Sequence, residues 1–213
     1  MSTPFSSPLL PDARLAAGAA RLATRYAGRS APETVLGLLA DSCGHLAEHA
    51  RVRTHPVVLA ERLTAERPDA LAHTQGPTSG RTRVLSVCSH NAGRSQTAAA
   101  LPTHRAGEHV TVSPAGTHPA DEVEPHIAQA LTEAGADLSD ASPKPLTEDI
   151  VEAADIVITT GFGDARPVVP DRPHLGRPVA DPDGAPIAVA RDIRDIRDAI
   201  DARITEPLTR LTP

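Results

Sequence analysis

Short β-branched runs alternate with helical stretches after about residue 80, and this alternation restricts the fold more than any other feature. The β-branched runs, which suit strands, are residues 84–87, 110–112 and 156–159. Helical stretches follow them at residues 95–101, 123–134 and 147–153. This order predicts an α/β fold with a parallel sheet and helices on both faces. Apolar residues mostly three or four apart in the range 187–211 predict a final amphipathic helix.

The residues before this alternation have three helical patterns and no strand pattern. Residues 13–27 are rich in Ala and Leu, and a capping box from Ser30 to Glu33 predicts a second helix to about residue 50. Thr54 caps a third helix, which has a proline in its first turn. Three short helices bury little apolar surface, so this unit is more stable when it packs against another domain or subunit.

A polar, turn-rich stretch at residues 75–80 separates the two patterns. We therefore predict two domains: a three-helix bundle over residues 1–78 and an α/β domain over residues 79–213.

Composition excludes several classes of protein. The chain has 21 basic and 27 acidic residues, a net charge of -6, so non-specific nucleic-acid binding is not expected. No apolar run approaches the roughly 18 residues that cross a membrane, and residues 1–11 lack the pattern of a signal peptide. Two cysteines form no disulfide framework, which indicates a reducing compartment. A cytoplasmic protein is the expectation.

The strand at residues 84–87 leads directly into Cys88, a tight loop, and Arg94 at the start of a helix. The loop amides and the positive end of the helix dipole can converge on one anion there. Arg94 can hold two oxygens of a tetrahedral anion, and the same field favours a nucleophilic thiolate at Cys88. The predicted oxyanion-binding residues are Ser89, His90, Asn91, Ala92, Gly93, Arg94 and Ser95.

Two side chains of this loop have specific expected roles. Ser95 can donate a hydrogen bond to the sulfur of Cys88, and Asn91 tolerates the left-handed backbone that such loops require. The alternative is a buried strand-end thiol at Cys88 and a surface arginine at Arg94. The strand before the loop and the helix after it favour the catalytic interpretation.

Residues 84–96 resemble the signature of low-molecular-weight protein tyrosine phosphatases and of the thiol arsenate reductases that share their fold. The sequence of residues 90–96 is similar to that of the arsenate reductases in particular. Further similar segments are residues 115–117, 143–146, 154–159 and 181–182. The resemblance covers about residues 82–211 and implies a four-stranded parallel sheet with flavodoxin-like winding. Residues 13–72 resemble the three-helix dimerisation domain of actinobacterial relatives, which implies a homodimer.

The resemblance also implies residue roles. Cys88 would attack phosphorus or arsenic, and Arg94 with the loop amides would hold the oxyanion. Asp181 would be the general acid that protonates the leaving oxygen, on a loop that Pro182 stiffens. The alternative for Asp181 is an ordinary turn, since residues 181–184 read Asp-Pro-Asp-Gly. No bound cofactor is expected.

One departure from the family pattern concerns the reductant. Thioredoxin-linked arsenate reductases carry two further cysteines after the third strand, where this chain has Phe162 and Arg166. An internal disulfide relay cannot form in this domain. Arsenate reduction would need an external thiol, such as mycothiol or glutathione with a redoxin. The alternative is a phosphatase that hydrolyses phosphotyrosine or small phosphate monoesters.

The scarcity of aromatic residues bears on this choice. A phosphotyrosine site needs an apolar, usually aromatic wall, whereas a small tetrahedral anion does not. The predicted α/β domain contains one aromatic residue, Phe162. Arsenate is therefore favoured, although Phe162 can itself serve as a wall.

The remaining candidates outside the loop have simpler interpretations. Cys43 is predicted to be a packing cysteine because it shares a helix face with Leu36, Leu39, Leu46 and Ala50. The alternative is that Cys43 of a neighbouring subunit resolves an intermediate on Cys88. His45 and His49 have a zinc-binding spacing but no third ligand, so no metal site is predicted. A DNA-binding sensor is not favoured, because no helix of the first domain has the basic stripe that contacts with DNA phosphates require. A regulator that binds anions without catalysis is also not favoured, because Cys88, Arg94 and Asp181 are all present.

Overall fold

The computed structural model describes residues 13–49, 56–76, 81–106, 110–160 and 174–176. The predicted final helix, the candidate acid Asp181, and Phe162 and Arg166 lie outside these described residues.

Four parallel strands form one sheet in the order β2-β1-β3-β4. The strands are β1 (Thr82–Cys88), β2 (Val110–Gly116), β3 (Ile156–Thr159) and β4 (His174–Gly176). The parallel four-stranded sheet is thus confirmed. β1 and β2 are longer than the β-branched runs that predicted them, and Gly116 at the end of β2 lies opposite Cys88 at the end of β1.

Strand β1 is an inner strand of the sheet, and apart from Ser86 its buried residues are apolar. Its last five residues are all buried, and Leu85 and Val87 pack with Ile150 and Val157 in one core cluster. Strands buried on both faces have continuous apolar sequences of this kind. Since parallel strands end at the same edge of a sheet, Cys88 lies in the middle of that edge.

The connections between strands are helical, as the alternation predicted. Helix α5 (Arg94–Ala106) joins β1 to β2, and helices α6 (Pro125–Glu133) and α7 (Glu148–Glu152) lie between β2 and β3. Helix α5 packs against both β1 and β2. A helix is the usual connection between two parallel strands of one sheet.

Four helices precede the sheet in the described part of the chain: α1 (Ala13–Arg25), α2 (Pro32–His49), α3 (Pro56–Thr64) and α4 (Arg67–Thr74). The first three match the predicted patterns. Helix α4 was not separated from α3 in the sequence analysis, although Pro68 in its first turn is a helix-start signal. The core shared by α1, α2 and α3 consists of Leu15, Leu22, Tyr26, Val35, Leu39 and Ala60.

Helix α4 packs against the α/β domain through α7. Ala70 is fully buried in the same core cluster as Leu85 and Val87 of β1. At the edge of this contact, the ring of His73 lies 3.1 Å from a carboxylate oxygen of Asp155. The helical unit therefore contacts the second domain of its own chain through a buried alanine and polar pairs. No helix in the described part of the chain is long and apolar enough to span a membrane.

Candidate active site

Cys88 is the last residue of the central strand, and its side chain is buried. Two polar groups lie within hydrogen-bond distance of its sulfur. The backbone N–H of Asn91 donates to Sγ at 3.2 Å, and Oγ of Ser95 lies 3.0 Å from Sγ. The predicted contact between Ser95 and the sulfur is confirmed.

The hydroxyl of Ser95 is oriented by a second contact. Nδ2 of Asn91 donates to Oγ of Ser95 at 2.7 Å. Because this bond uses an oxygen lone pair, the hydroxyl proton remains available to point at the sulfur. Hydrogen bonds from N–H and O–H groups stabilise the charged form of a thiol, which is the nucleophilic form.

Asn91 holds the loop in shape. Its φ of 50° is the left-handed conformation that the sequence predicted, and the residue is fully buried. Its Oδ1 accepts hydrogen bonds from the backbone N–H of Lys144 at 2.8 Å and from Nε2 of Gln96 at 3.1 Å. Nε2 of Gln96 also donates to the backbone oxygen of Asn91 at 3.0 Å. The side chain of Asn91 thereby connects the loop to a distant segment of the chain.

The loop carbonyls face outward toward the segment that follows β2. The oxygens of Ser89, His90 and Ala92 accept backbone N–H groups of residues 118, 120 and 124 at 2.8–2.9 Å. The C=O and N–H of one planar trans peptide point in opposite directions. The N–H groups that follow these carbonyls therefore point away from this segment, as the N–H of Asn91 does toward the sulfur.

Arg94 is the first residue of α5 and is buried. One of its terminal nitrogens donates to the backbone oxygen of Thr160 at 3.2 Å. Thr160 follows β3 and donates its own N–H to the oxygen of Val87 at 3.0 Å. The guanidinium is therefore fixed at the edge of the sheet beside Cys88, at the N-terminus of a helix, where the helix dipole favours anions.

Cys43 has surroundings unlike those of Cys88. It is half-buried on α2 against the helical core, and burial raises the pKa of its thiol. Leu36, which was expected on the same buried face, is 47% exposed. The raised pKa means that little Cys43 thiolate exists at neutral pH, as expected of a packing cysteine.

The described residues contain no group of three His, Cys, Asp or Glu side chains arranged to hold a metal ion. His45 instead lies 3.4 Å from a carboxylate oxygen of Asp41, one helical turn away. Asp181, the predicted general acid, lies outside the described residues.

Three residues that support the loop were missed or given no role in the sequence analysis. They are Gln96, Gly116 and Lys144. Gln96 and Lys144 belong to segments that resemble the family, but no local pattern indicates that either one contacts Asn91. Gly116 approaches the loop only because β2 pairs with β1.

A parallel sheet whose central strand ends in a cysteine-to-arginine loop places this protein in the class of low-molecular-weight-phosphatase-like α/β enzymes. Residues 83–171 match the family described as low molecular weight phosphotyrosine protein phosphatase. Residues 15–72 match the family described as protein-tyrosine-phosphatase-like, N-terminal domain.

Known proteins resemble the chain either over nearly its whole length or over about 60% of it. The thioredoxin-dependent arsenate reductase Cg_ArsC1' of Corynebacterium glutamicum is 40% identical, with a TM-score of 0.75, over 92% of this chain and 95% of that one. A curated Halobacterium salinarum protein named "Putative arsenate reductase" is 31% identical over 60% of this chain and 91% of its own length. The YwlE arginine phosphatase of Geobacillus stearothermophilus is 27% identical, with a TM-score of 0.52, over 61% and 94%.

The chain therefore belongs to the low molecular weight phosphotyrosine protein phosphatase family, in which arsenate reductases and phosphatases share one fold, and it is an enzyme.

Gly116 provides a test of the loop geometry. A Cβ at this position would lie 2.8 Å from the backbone oxygen of Ser89 and 2.9 Å from Cβ of Asn91, so the loop must shift. We expect Gly116→Ala to weaken inorganic phosphate binding by roughly tenfold or more, since small displacements in such sites are costly. Isothermal titration calorimetry measures this affinity.

Gly37→Ala is the matched control, because a Cβ there meets nothing within 4 Å. It should leave phosphate affinity unchanged and stabilise the fold by about 0.5–1 kcal/mol. Wild-type phosphate affinity in a folded Gly116→Ala protein would contradict the described loop.

Proposed function

We propose that the protein is an arsenate reductase in which Cys88 attacks arsenate held by the loop and Arg94. The observation that carries this proposal is the pair of donors directed at the buried sulfur of Cys88, at 3.2 Å from Asn91 and 3.0 Å from Ser95. The similarity to an arsenate reductase over nearly the whole chain supports it. The amides of residues 89–94 and the side chain of Ser95 complete the oxyanion site.

The first chemical step forms a sulfur–arsenic bond. The Cys88 thiolate attacks arsenic(V), and one arsenic–oxygen bond breaks. Asp181 gives its proton to the departing hydroxyl group of arsenate, which leaves as water. Arg94 and the loop amides offset the negative charge on the remaining oxygens throughout this step.

The second step is the reduction. An external thiolate attacks Sγ of Cys88, and the electron pair of the sulfur–arsenic bond stays on arsenic, which leaves as arsenite. Arsenic gains two electrons, and the two sulfurs lose two as they form a mixed disulfide. A second external thiol then breaks this disulfide and returns Cys88 to its thiolate.

The source of the two external thiols follows from the cysteine content. Besides Cys88, the chain has only Cys43, whose pKa is raised by burial. Because Phe162 and Arg166 stand where an internal relay would need cysteines, we infer that a thioredoxin-type dithiol protein supplies both thiols. The thioredoxin dependence of the Corynebacterium glutamicum relative supports this choice over mycothiol or glutathione with a redoxin.

The second candidate is hydrolysis of phosphate monoesters through a phosphorylated Cys88. The phosphatase family of residues 83–171 and the arginine phosphatase similarity favour it. The single aromatic residue in the α/β domain argues against a phosphotyrosine substrate. Arsenate and phosphate have the same charge and tetrahedral shape, so the two reactions compete for one site.

Two cysteine variants distinguish the reaction and its thiols. We expect arsenate reduction with thioredoxin and its reductase to be abolished in Cys88→Ser and retained in Cys43→Ser. Arsenite release is measured alongside hydrolysis of an aryl phosphate, and mycothiol or glutathione with a redoxin replaces thioredoxin in parallel reactions.

Each alternative has its own outcome in this assay. Loss of reduction in both variants would mean that Cys43 resolves the intermediate. Hydrolysis without arsenite release would make the protein a phosphatase, and full turnover by Cys88→Ser would refute both activities.

Asp181 is tested against its neighbour in the same turn. We expect Asp181→Asn to lower kcat by about 10²-fold or more, because a general acid contributes this much. Asp183→Asn removes a carboxyl two residues away and should keep kcat within twofold of wild type, as measured in steady-state assays. Equal kcat for both variants and wild type would exclude Asp181 as the acid.

We also propose that residues 13–72 mediate a homodimer. Leu36 on α2 and Val58 on α3 support this, since they are 47% and 48% exposed. We expect Leu36→Asp with Val58→Asp to give a monomer in sedimentation velocity, because buried charges disrupt an apolar interface. Thr34→Asp, also exposed on α2, is the control and should remain dimeric. A monomeric wild-type protein would contradict the proposal.

A further inference from the structure

Lys144 is the only lysine in the sequence, and its side chain is 8% exposed. Its ammonium group forms an ion pair with Glu66, which precedes α4 in the helical unit. A buried charge is tolerated only where an opposite charge or hydrogen bonds compensate it. Glu66 therefore fixes where the side chain of Lys144 can lie.

The backbone of Lys144 contacts the active-site loop. Its N–H donates to Oδ1 of Asn91 at 2.8 Å, and its oxygen accepts the N–H of Gly116 at 2.9 Å. Two residues earlier, the oxygen of Ser142 accepts Nε2 of Gln96 at 3.0 Å. The segment 142–144 thus holds the two side chains, Asn91 and Gln96, that shape the loop.

A second ion pair fixes the other end of this segment. Arg67, next to Glu66 in the chain, lies 2.8 Å from a carboxylate oxygen of Asp149, and both side chains are buried. Arg67 also pairs with Asp41 of α2 at 2.7 Å, which anchors it within the helical unit. Two consecutive residues of the helical unit therefore hold the segment 144–149 at both ends.

These contacts form a continuous path to the sulfur. Glu66 pairs with Lys144, the backbone of Lys144 binds the side chain of Asn91, and the N–H of Asn91 donates to Sγ of Cys88. A shift of Lys144 moves Oδ1 of Asn91. Because the N–H that donates to the sulfur belongs to the same residue as Oδ1, we expect a shift of the Asn91 side chain to displace this N–H from Sγ of Cys88.

We propose that Glu66 and Lys144 are positioning residues, through which the helical domain sets the hydrogen bond between Asn91 and Cys88. The inference rests on the proposed function insofar as Cys88 is the nucleophile. It assigns the helical domain a role in the reactivity of the active site, in addition to any role in assembly.

The test measures Cys88 without using arsenate. In a Cys43→Ser background, Cys88 is the single thiol, so its iodoacetamide alkylation rate and ultraviolet thiolate absorbance at neutral pH report its charged form. We expect Lys144→Gln and Glu66→Gln each to lower the alkylation rate and the protection by inorganic phosphate by about tenfold, the effect of losing one hydrogen bond to a charged group.

Matched variants separate positioning from general destabilisation. Lys144→Arg keeps the charge and should restore most of the alkylation rate. Asp69 lies on α4, three residues after Glu66, and forms an exposed ion pair with Arg29. Asp69→Asn removes this pair and should leave the alkylation rate and the phosphate protection unchanged. The double variant Glu66→Gln with Lys144→Gln should match either single variant, because residues that act through one contact are not additive.

The outcomes distinguish this inference from the proposed function. Wild-type alkylation and phosphate protection in folded Glu66→Gln and Lys144→Gln proteins would overturn the positioning role and leave the reductase standing. Equal losses in Asp69→Asn, or no recovery in Lys144→Arg, would overturn it as well. A wild-type protein that binds phosphate but reduces no arsenate would refute the reductase alone.

Discussion

A fully buried amide must have its hydrogen bonds satisfied inside the protein, and the active-site loop depends on how Asn91 meets this requirement. Its side chain accepts from Lys144 and Gln96 and donates to Ser95. A left-handed backbone costs a residue of this kind about 1–2 kcal/mol, which these bonds offset. The backbone N–H of Asn91 is then free to contact the sulfur of Cys88. The loop shape, the orientation of the Ser95 hydroxyl and the backbone hydrogen bond to the Cys88 sulfur all depend on one buried residue.

Strands β1 to β3 and the loop could be predicted from the residues because each is encoded locally, whereas the fourth strand was implied only by the family resemblance. Continuous apolar runs mark strands buried on both faces, and residues 88–95 contact one another within a single turn of loop and helix. The roles of Gly116 and Lys144 could not be predicted in this way. Both reach the loop through strand pairing and through segments about 30 to 50 residues away, which no local pattern specifies. Helix α4 was missed because it is short and lacks an apolar period.

The two cysteines show how surroundings decide thiol chemistry. Cys43 packs against aliphatic side chains, and burial raises its pKa. Cys88 is more deeply buried, yet donors surround its sulfur. The two thiols therefore differ in their hydrogen bonds as well as in their depth, and hydrogen bonds from N–H and O–H groups favour the charged form of a thiol.

The position of Ala70 limits how the helical unit and the α/β domain could have been joined during evolution. This small residue of α4 packs with Leu85 and Val87 of strand β1. The core of the α/β domain therefore includes a side chain from the helical unit. We therefore expect that an unrelated helical domain could not simply replace this helical unit. A foreign helical module joined at residue 79 would have to bring an equally small residue to this point and a carboxylate to meet Lys144. Fusion partners could therefore be acquired only together with matching changes on both sides of the junction.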